Sequence, residues 1–419
     1  MEKLIAKYII LLPFLLGLIQ ILQWGGFHYG CWLMILLCVF LLFSNIDVCK
    51  SQKYNILTYS IVYVVIVWIY QLISPPTRKV FNPYTPMFYY LFLLIAPAFW
   101  ILGYKGYNLF SEINKKLILV IIVAALLCGY YKISAVGSMT VFIEAAGDTE
   151  LVSFLYQIIP YLLLWMTAVY FIYKRNTQIV IVALFILVIL LSTKRGPLVA
   201  MAAGFVGIVV LERKMSMKHI VWLLILAVVA YLAMNTIFSS LWDGWLARWE
   251  VAEGQDNTSH GRSTIWMIFL NALSTQDITK TIIGNGYEVS HKLTFYKWGI
   301  SIGAHNDFLD ILYNFGLIGF IPFILLLISW ARYMFLAIRT NFKYTSMMIY
   351  LLACFVMGSF VSSNMTRYAT VFFGVLFYYC AGLLTRELRT AHNVTNIINE
   401  NNSVHTSQGR EQVNTPEEH

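Results

Sequence analysis

The residues best suited to chemistry form three short polar motifs, each placed where an apolar helical segment is predicted to begin. They are Ser192-Thr193-Lys194-Arg195-Gly196-Pro197, His260-Gly261-Arg262 and His305-Asn306-Asp307. A helix N-terminus attracts anions, and an arginine side chain can bind phosphate oxygens through two parallel hydrogen bonds. A histidine with an unperturbed pKa near ~6.5 can accept a proton at neutral pH. The motifs therefore predict a site in which Arg195 and Arg262 bind a diphosphate and His305 acts as the catalytic general base.

Each of these residues also has a purely structural interpretation. Arg195 could be a solvated residue of a tight hairpin that contacts no substrate. His305 could cap the helix that follows it. Arg262 could hold its loop in place through an ion pair with Glu250, Glu253 or Asp256. The residue types alone do not separate these interpretations from the chemical ones.

Asn306 and Asp310 are candidates for supporting roles, with Asp310 one turn further into the predicted helix. A metal site built from His305, Asp307 and Asp310 is not expected. Successive residues of a helix are rotated by ~100°, so these three side chains point in different directions. We predict no metal and no cofactor, and the sequence does not assign the tasks of Asp307 and Asp310.

The helices that must position these motifs indicate a polytopic membrane protein with an all-α fold. Of the 419 residues, 59% are hydrophobic and only 12% are charged, which is more apolar surface than a soluble domain can cover. Apolar runs of ~20 residues between polar breaks give about twelve spanning helices. They begin near Leu4, Phe27, Tyr54, Met87, Leu117, Leu151, Gln178, Pro197, Ile220, Asp307, Tyr344 and Tyr368.

The distribution of basic residues predicts the orientation of these spans. The net charge is +9, but lysines and arginines alternate with the spans and form no continuous stripe, which argues against a nucleic-acid partner. They are more frequent in one set of loops, as is typical of cytoplasmic loops. Both termini are therefore expected inside the cell, and all three polar motifs are expected on the outer face.

Three regions are predicted along the chain. Residues 1–388 form the transmembrane domain, and residues 239–303 form a large helical outer loop inserted within it. Residues 389–419 are polar, lack apolar periodicity and are predicted to form a disordered cytoplasmic tail. In the large loop, Trp242, Trp245 and Trp249 share one helical face, and their spacing favours a membrane-interface anchor over sugar stacking.

The order of the motifs resembles that of the O-antigen ligase/polymerase superfamily of bacterial membrane glycosyltransferases. The resemblance covers roughly residues 184–335. It rests on Thr193-Lys194-Arg195-Gly196, Gly261-Arg262 with Trp266, Gly284-Asn285-Gly286, and His305-Asn306 with Leu309, Gly316 and Gly319. Each motif alone is weak, whereas their order, spacing and common outer face are specific.

The resemblance implies an inverting transferase that needs no metal and acts on undecaprenyl-diphosphate-linked sugars at the periplasmic face of the bacterial inner membrane. Arg195 and Arg262 would bind the diphosphate, and His305 would activate the acceptor. The implied partners are the lipid-linked oligosaccharide, membrane lipid, and a chain-length regulator and flippase of the same pathway.

Within this superfamily the segment from Asn306 to Gly316 looks more like a Wzy-type O-antigen polymerase, which joins repeat units for lipopolysaccharide. The alternative is an O-antigen ligase, which transfers the finished polymer to lipid A-core. A lipid-linked oligosaccharide flippase or other transporter is a second alternative. A transporter should place polar residues at mid-bilayer in broken helices.

Overall fold

All regular secondary structure in the described part of the chain is helical, as the sequence predicted. The computed structural model describes residues 8–13, 15, 16, 19, 27–50, 55–73, 85–109, 163–165, 167, 168, 185, 186, 189, 195–212, 262–298, 303–362 and 370–411. The tryptophans at 242, 245 and 249 lie outside these residues, as do most of the predicted spans that begin near 4, 117, 151, 178 and 220.

The helices are named here in chain order. They are α1 (Phe27–Phe43), α2 (Ile46–Cys49), α3 (Ile56–Ile73), α4 (Thr85–Lys105), α5 (Arg195–Glu212), α6 (Arg262–Thr275), α7 (Ile278–Ile283), α8 (Val289–Trp298), α9 (Asp307–Arg339), α10 (Thr345–Val361) and α11 (Val371–Glu411).

Several of these helices have the length and composition of membrane spans. In the described residues, α3, α9 and the segment Val371–Asn393 of α11 are long and apolar enough to cross a bilayer, and Tyr29–Phe43, Leu93–Lys105, Gly196–Leu211 and Thr345–Val361 are shorter apolar helices. Large apolar side chains are exposed on α1 and α3, including Leu36, Leu72 and Ile73. Such faces are suited to lipid, because a bilayer does not penalise exposed hydrocarbon.

Close packing between α4 and α11 depends on two glycines. A Cβ atom on Gly103 would lie 2.1 Å from the Tyr379 carbonyl oxygen, and one on Gly382 would lie 2.1 Å from the Trp100 carbonyl oxygen. Small residues at such crossings let helix backbones approach closely. Close approach increases van der Waals contact, which drives helix association in a bilayer because lipid is as apolar as the helix surface.

A cluster of aromatic rings joins α9, α10 and α11. The Trp330 ring lies 4.8 Å from that of Phe355 and 4.7 Å from that of Phe373, measured between centroids. Trp330 and Phe355 are fully buried, as is Phe373. Aromatic pairs at this spacing add to the stability that burial provides, so this cluster holds the three helices together within the buried core.

Helix α9 is broken at Gly316, which divides it into an N-terminal half-helix (307–315) and a long arm (317–339). Gly316 has φ 59° and ψ −160°, a combination that is essentially restricted to glycine. The rings of Phe308 and Phe323 lie 5.5 Å apart. In a straight helix, fifteen residues would separate them by ~22 Å along the axis. The half-helix therefore folds back toward the arm.

The fold-back changes the expected position of Asp310. The sequence suggested one long apolar helix with Asp310 one turn into the span, but the structure places Asp310 in the half-helix. Gly319 permits the close return, because a Cβ atom there would lie 2.3 Å from the Phe315 Cβ. The two glycines of the G-x-x-G motif thus have separate tasks: Gly316 makes the turn, and Gly319 leaves room for the half-helix.

The last helix extends into the region predicted to be a disordered tail. Helix α11 runs to Glu411, so residues 389–411 continue the helix whose first turns are buried in the bundle. Extending an existing helix avoids the unfavourable nucleation step. A polar segment with little apolar periodicity of its own can therefore be helical as the C-terminal part of α11.

Candidate active site

The break in α9 leaves backbone carbonyls that no longer have a partner within the helix, and the 262–298 segment supplies the missing donors. The backbone N–H of Asn285 donates to the Tyr313 carbonyl at 3.0 Å, and that of Gly286 donates to the Asn314 carbonyl at 2.9 Å. The Asn285 side-chain amide also donates to the Tyr313 carbonyl, at 3.0 Å. Buried backbone groups need such partners, so this docking satisfies the broken helix.

The docking requires glycine at Gly284 as well as at Gly316. Gly284 has φ 90°, and a Cβ atom on it would lie 2.4 Å from the Asn314 carbonyl oxygen. A Cβ atom on Gly316 would lie 2.5 Å from the Gly284 nitrogen. The two backbones therefore meet at a distance that no side chain permits. The Gly284-Asn285-Gly286 turn is called the docking turn below.

Two further contacts hold the docking turn and α8 against the half-helix. The Tyr70 hydroxyl at the end of α3 donates to the Ile283 carbonyl, with a weaker contact to the Phe315 carbonyl at 3.5 Å. The Ser290 N–H donates to the Asn314 side-chain oxygen at 2.9 Å, and the Asn314 amide donates to the Ser290 hydroxyl at 3.2 Å. Asn314 and Ser290 are buried.

At the other end of the half-helix, Asn306 is the N-cap. Its side-chain oxygen accepts from the N–H groups of Phe308 at 3.0 Å and Leu309 at 3.2 Å. His305 precedes the cap, with φ 51°, and it is partly exposed between buried neighbours. The cap interpretation of His305 is therefore wrong, because Asn306 performs that task and the imidazole is not required for it.

Asp310 shapes the turn that presents His305. Its Oδ1 accepts a hydrogen bond from the Ala304 N–H at 2.9 Å. A Cβ atom on Gly303 would lie 3.0 Å from Asp310 Oδ2, so the backbone lies directly against the carboxylate. Asp310 is only 8% exposed. This buried hydrogen bond holds the backbone immediately before His305, because the Ala304 N–H would otherwise lose its partner.

Trp266 connects helix α6 to the same turn. Its indole N–H donates to the Ala304 carbonyl at 3.0 Å, and its ring lies 5.4 Å from that of Phe360 near the end of α10. Arg262 is the first residue of α6 and lies four residues before Trp266. Residues four apart share a helix face with their Cβ atoms ~5–6 Å apart. Arg262 therefore begins the helix whose Trp266 holds the backbone immediately before His305.

Arg195 is the first residue of α5. Helix α5 packs antiparallel to α10. The Cys354 thiol contacts the Ala200 carbonyl at 3.1 Å, and a Cβ atom on Gly207 would lie 3.2 Å from Ile349. Because the two helices are antiparallel, the Arg195 end of α5 lies toward the C-terminal end of α10. Phe360, which contacts Trp266, is at that same end of α10.

Tyr63 of α3 lies in the angle between the half-helix and the arm. Its ring centroid is 6.3 Å from that of Phe315 and 6.2 Å from that of Phe323. The hydroxyl is fully buried, makes no hydrogen bond in the described part of the protein, and lies within electrostatic range of Asp307 and Asp310. Sequence analysis missed Tyr63, because a tyrosine inside an apolar span carries no local signal.

Among the described residues, no group of three or more histidine, cysteine or acidic side chains is arranged to hold a metal ion. The polar groups at the start of the half-helix instead hold backbone. Asn306 binds the first turn of the helix and Asp310 binds Ala304. The arrangement can present one partly exposed imidazole beside the N-terminal, positive end of a helix dipole.

The apolar helices indicate a helical membrane protein, and its candidate site is built from the folded-back half-helix of α9 and the 262–298 segment docked on it. Residues 180–324 match the model of the family described as O-antigen ligase. The matched segment contains Arg195, Arg262, the docking turn and His305. This match supports the resemblance of the segment to the O-antigen ligase/polymerase superfamily. No individually curated protein matches it.

Proposed function

We propose that the protein is an O-antigen or surface polysaccharide polymerase that joins undecaprenyl-diphosphate-linked repeat units at the periplasmic face of the inner membrane. The observation that carries the proposal is the anchoring of the His305 turn. Asp310 and Trp266 both hold Ala304, and Arg262 begins the helix that carries Trp266. The backbone before a partly exposed histidine is thus held by two side chains, one of them on the helix that Arg262 begins, inside the segment that matches the family.

In the proposed reaction, a sugar hydroxyl of one lipid-linked unit attacks the anomeric carbon of the other. The bond between that carbon and the diphosphate oxygen breaks, and undecaprenyl diphosphate leaves with the bonding electrons. His305 takes the proton of the attacking hydroxyl, a contribution typically worth ~10²–10⁴-fold in rate. Arg195 and Arg262 offset the charge that grows on the leaving diphosphate, while Asn306 and Asp310 hold His305 in place.

The natural partners of this reaction are the lipid-linked oligosaccharide and the surrounding membrane lipid. A flippase delivers the repeat unit to the outer leaflet, and a chain-length regulator of the same pathway limits the polymer. The chemistry assigned to the chain needs no metal or other cofactor.

A ligase is the second candidate, because the family that matches residues 180–324 is described as O-antigen ligase. It would use the same donor chemistry but transfer the completed polymer to lipid A-core. Deleting the gene separates the two. Loss of a polymerase leaves lipid A-core bearing at most one repeat unit, whereas loss of a ligase leaves long polymer on undecaprenyl diphosphate. Gel ladders of lipopolysaccharide together with the extracted lipid-linked pool decide between them.

The broken helix is a feature that transporters also use, so a direct assay is needed. Purified protein in vesicles, given a lipid-diphosphate oligosaccharide, is expected to release undecaprenyl diphosphate and to form longer products. Movement of the intact lipid across the bilayer without bond formation would overturn the glycosyl-transfer proposal.

A further inference from the structure

The half-helix that carries the site is attached to the helical segment 262–298 at both of its ends. Near its start, Trp266 donates to the Ala304 carbonyl at 3.0 Å. At its end, the Asn285 backbone and side chain both donate to the Tyr313 carbonyl at 3.0 Å. The half-helix is thus held along its length by residues that precede it in the chain.

The docking turn is itself fixed from several directions. The Asn285 side-chain amide donates to the Gln276 side-chain oxygen at 3.1 Å as well as to the Tyr313 carbonyl. On the other side, the Tyr70 hydroxyl reaches Ile283, which directly precedes Gly284. Asn285 therefore connects helix α6, through Gln276 just beyond its end, with the broken backbone of α9.

The break at Gly316 makes the direction of the half-helix depend on these contacts. A continuous helix fixes its own direction through its hydrogen bonds, but a break removes that constraint. The angle of the half-helix then depends on the groups that bind the carbonyls at the break. In the described structure the protein donors to the Tyr313 and Asn314 carbonyls come from Asn285 and Gly286.

We infer that Asn285 is a positioning residue of the glycosyl-transfer site: by binding the Tyr313 carbonyl it sets the angle of the half-helix and hence the location of His305. This inference rests on the proposed function. Asn285 binds the opposite end of the half-helix from His305: Tyr313 lies six residues beyond Asp307, or ~9 Å along the helix axis. It acts through backbone and is not assigned a contact with substrate.

The test compares Asn285→Leu with the wild type in the purified transferase assay. Leucine keeps the size and the neutral charge of the side chain and removes both amide contacts. Small displacements of a catalytic group are costly, so kcat is expected to fall about 10- to 100-fold. The KM for the lipid-diphosphate donor is expected to change less than about twofold, since Arg195 and Arg262 are untouched.

Asn271→Leu is the matched control. Asn271 is exposed on α6, in the same helical segment as Asn285. The control removes the same amide, and we expect it to leave kcat and KM at the wild-type values.

Tyr70→Phe is a second variant that weakens the docking turn from its other side. It is expected to lower kcat by a smaller factor, and its combination with Asn285→Leu should be less than additive, because both residues hold the docking turn.

The outcomes are distinct. Wild-type kcat in Asn285→Leu overturns the inference, and so does a raised donor KM with unchanged kcat, which would make Asn285 a substrate-binding residue. If Asn285→Leu fails to accumulate in the membrane, Tyr70→Phe decides: a lower kcat at unchanged KM supports the inference and wild-type kinetics overturn it. An inactive wild-type protein in the presence of donor and acceptor would instead count against the proposed function itself.

Discussion

The Asp310 carboxylate accepts a hydrogen bond from the Ala304 N–H at 2.9 Å, and this contact links the half-helix to the residue immediately before His305. The contact requires an acceptor oxygen at this position but no negative charge. Asp310→Asn keeps such an oxygen, so we expect it to retain glycosyl transfer within about tenfold of the wild type. Asp310→Leu is expected to abolish transfer, because the Ala304 N–H then loses its partner. Equal loss of transfer in both variants would show that the charge itself takes part in the reaction.

His305→Ala should keep the protein folded in the membrane and abolish polymer. The folded state does not depend on the imidazole for capping, because Asn306 caps the helix. His305→Gly is the matched variant: its backbone adopts φ 51° without strain, so it separates loss of the imidazole from backbone strain. Both variants should lack polymer on lipopolysaccharide gels. A normal ladder from either one would contradict the general-base assignment.

Gly316→Ala is expected to be strongly destabilising. The backbone conformation of Gly316 costs a non-glycine residue roughly 1–3 kcal/mol. In addition, the new methyl group would lie 2.5 Å from the Gly284 nitrogen and the Ile282 carbonyl oxygen. Gly207→Ala serves as the control, because its methyl group would meet side-chain atoms of Ile349 at 3.2 Å and Ala353 at 3.3 Å. Thermal unfolding in detergent should show a much larger loss of stability for Gly316→Ala.

Tyr63→Phe and Tyr350→Phe remove fully buried hydroxyls that differ in their hydrogen bonding. The Tyr350 hydroxyl donates to the Leu164 carbonyl at 3.1 Å, so its removal should cost about 1 kcal/mol and leave a carbonyl unsatisfied. The Tyr63 hydroxyl makes no hydrogen bond in the described part of the protein, so its removal should be neutral or stabilising. A stability loss in Tyr63→Phe equal to that in Tyr350→Phe would reveal a partner for the Tyr63 hydroxyl.

Arg195→Lys is expected to lower transfer strongly although the charge is kept, because a point charge replaces a planar fork that can bind two phosphate oxygens. Arg332→Lys is the control. Arg332 is exposed on the arm of α9, sixteen residues or ~24 Å beyond Gly316, and its replacement should leave transfer unchanged. Steady-state kinetics with the lipid-diphosphate donor measures both variants. Wild-type kinetics for Arg195→Lys would indicate a structural role for Arg195.

Local features of the sequence were sufficient for the fold class and for the helix starts. The apolar content requires burial in lipid or core, so the all-helical architecture follows from composition and run length. The positions of Arg195 and Arg262 at helix starts also follow from local signals, namely turn residues that precede apolar runs. The order of the motifs along the chain predicted the superfamily that the match over residues 180–324 supports.

Tertiary structure decided how the site is assembled. The sequence by itself predicted one apolar helix beginning near Asp307, left Asp310 without a task and considered His305 as a cap. The fold-back at Gly316, the support of Ala304 by Asp310 and Trp266, and the docking of Asn285 on Tyr313 changed each of these points. Periodicity reports which face of one helix is apolar. It does not report which distant donor will satisfy a broken backbone, and that pairing is set only when the loop packs against the half-helix.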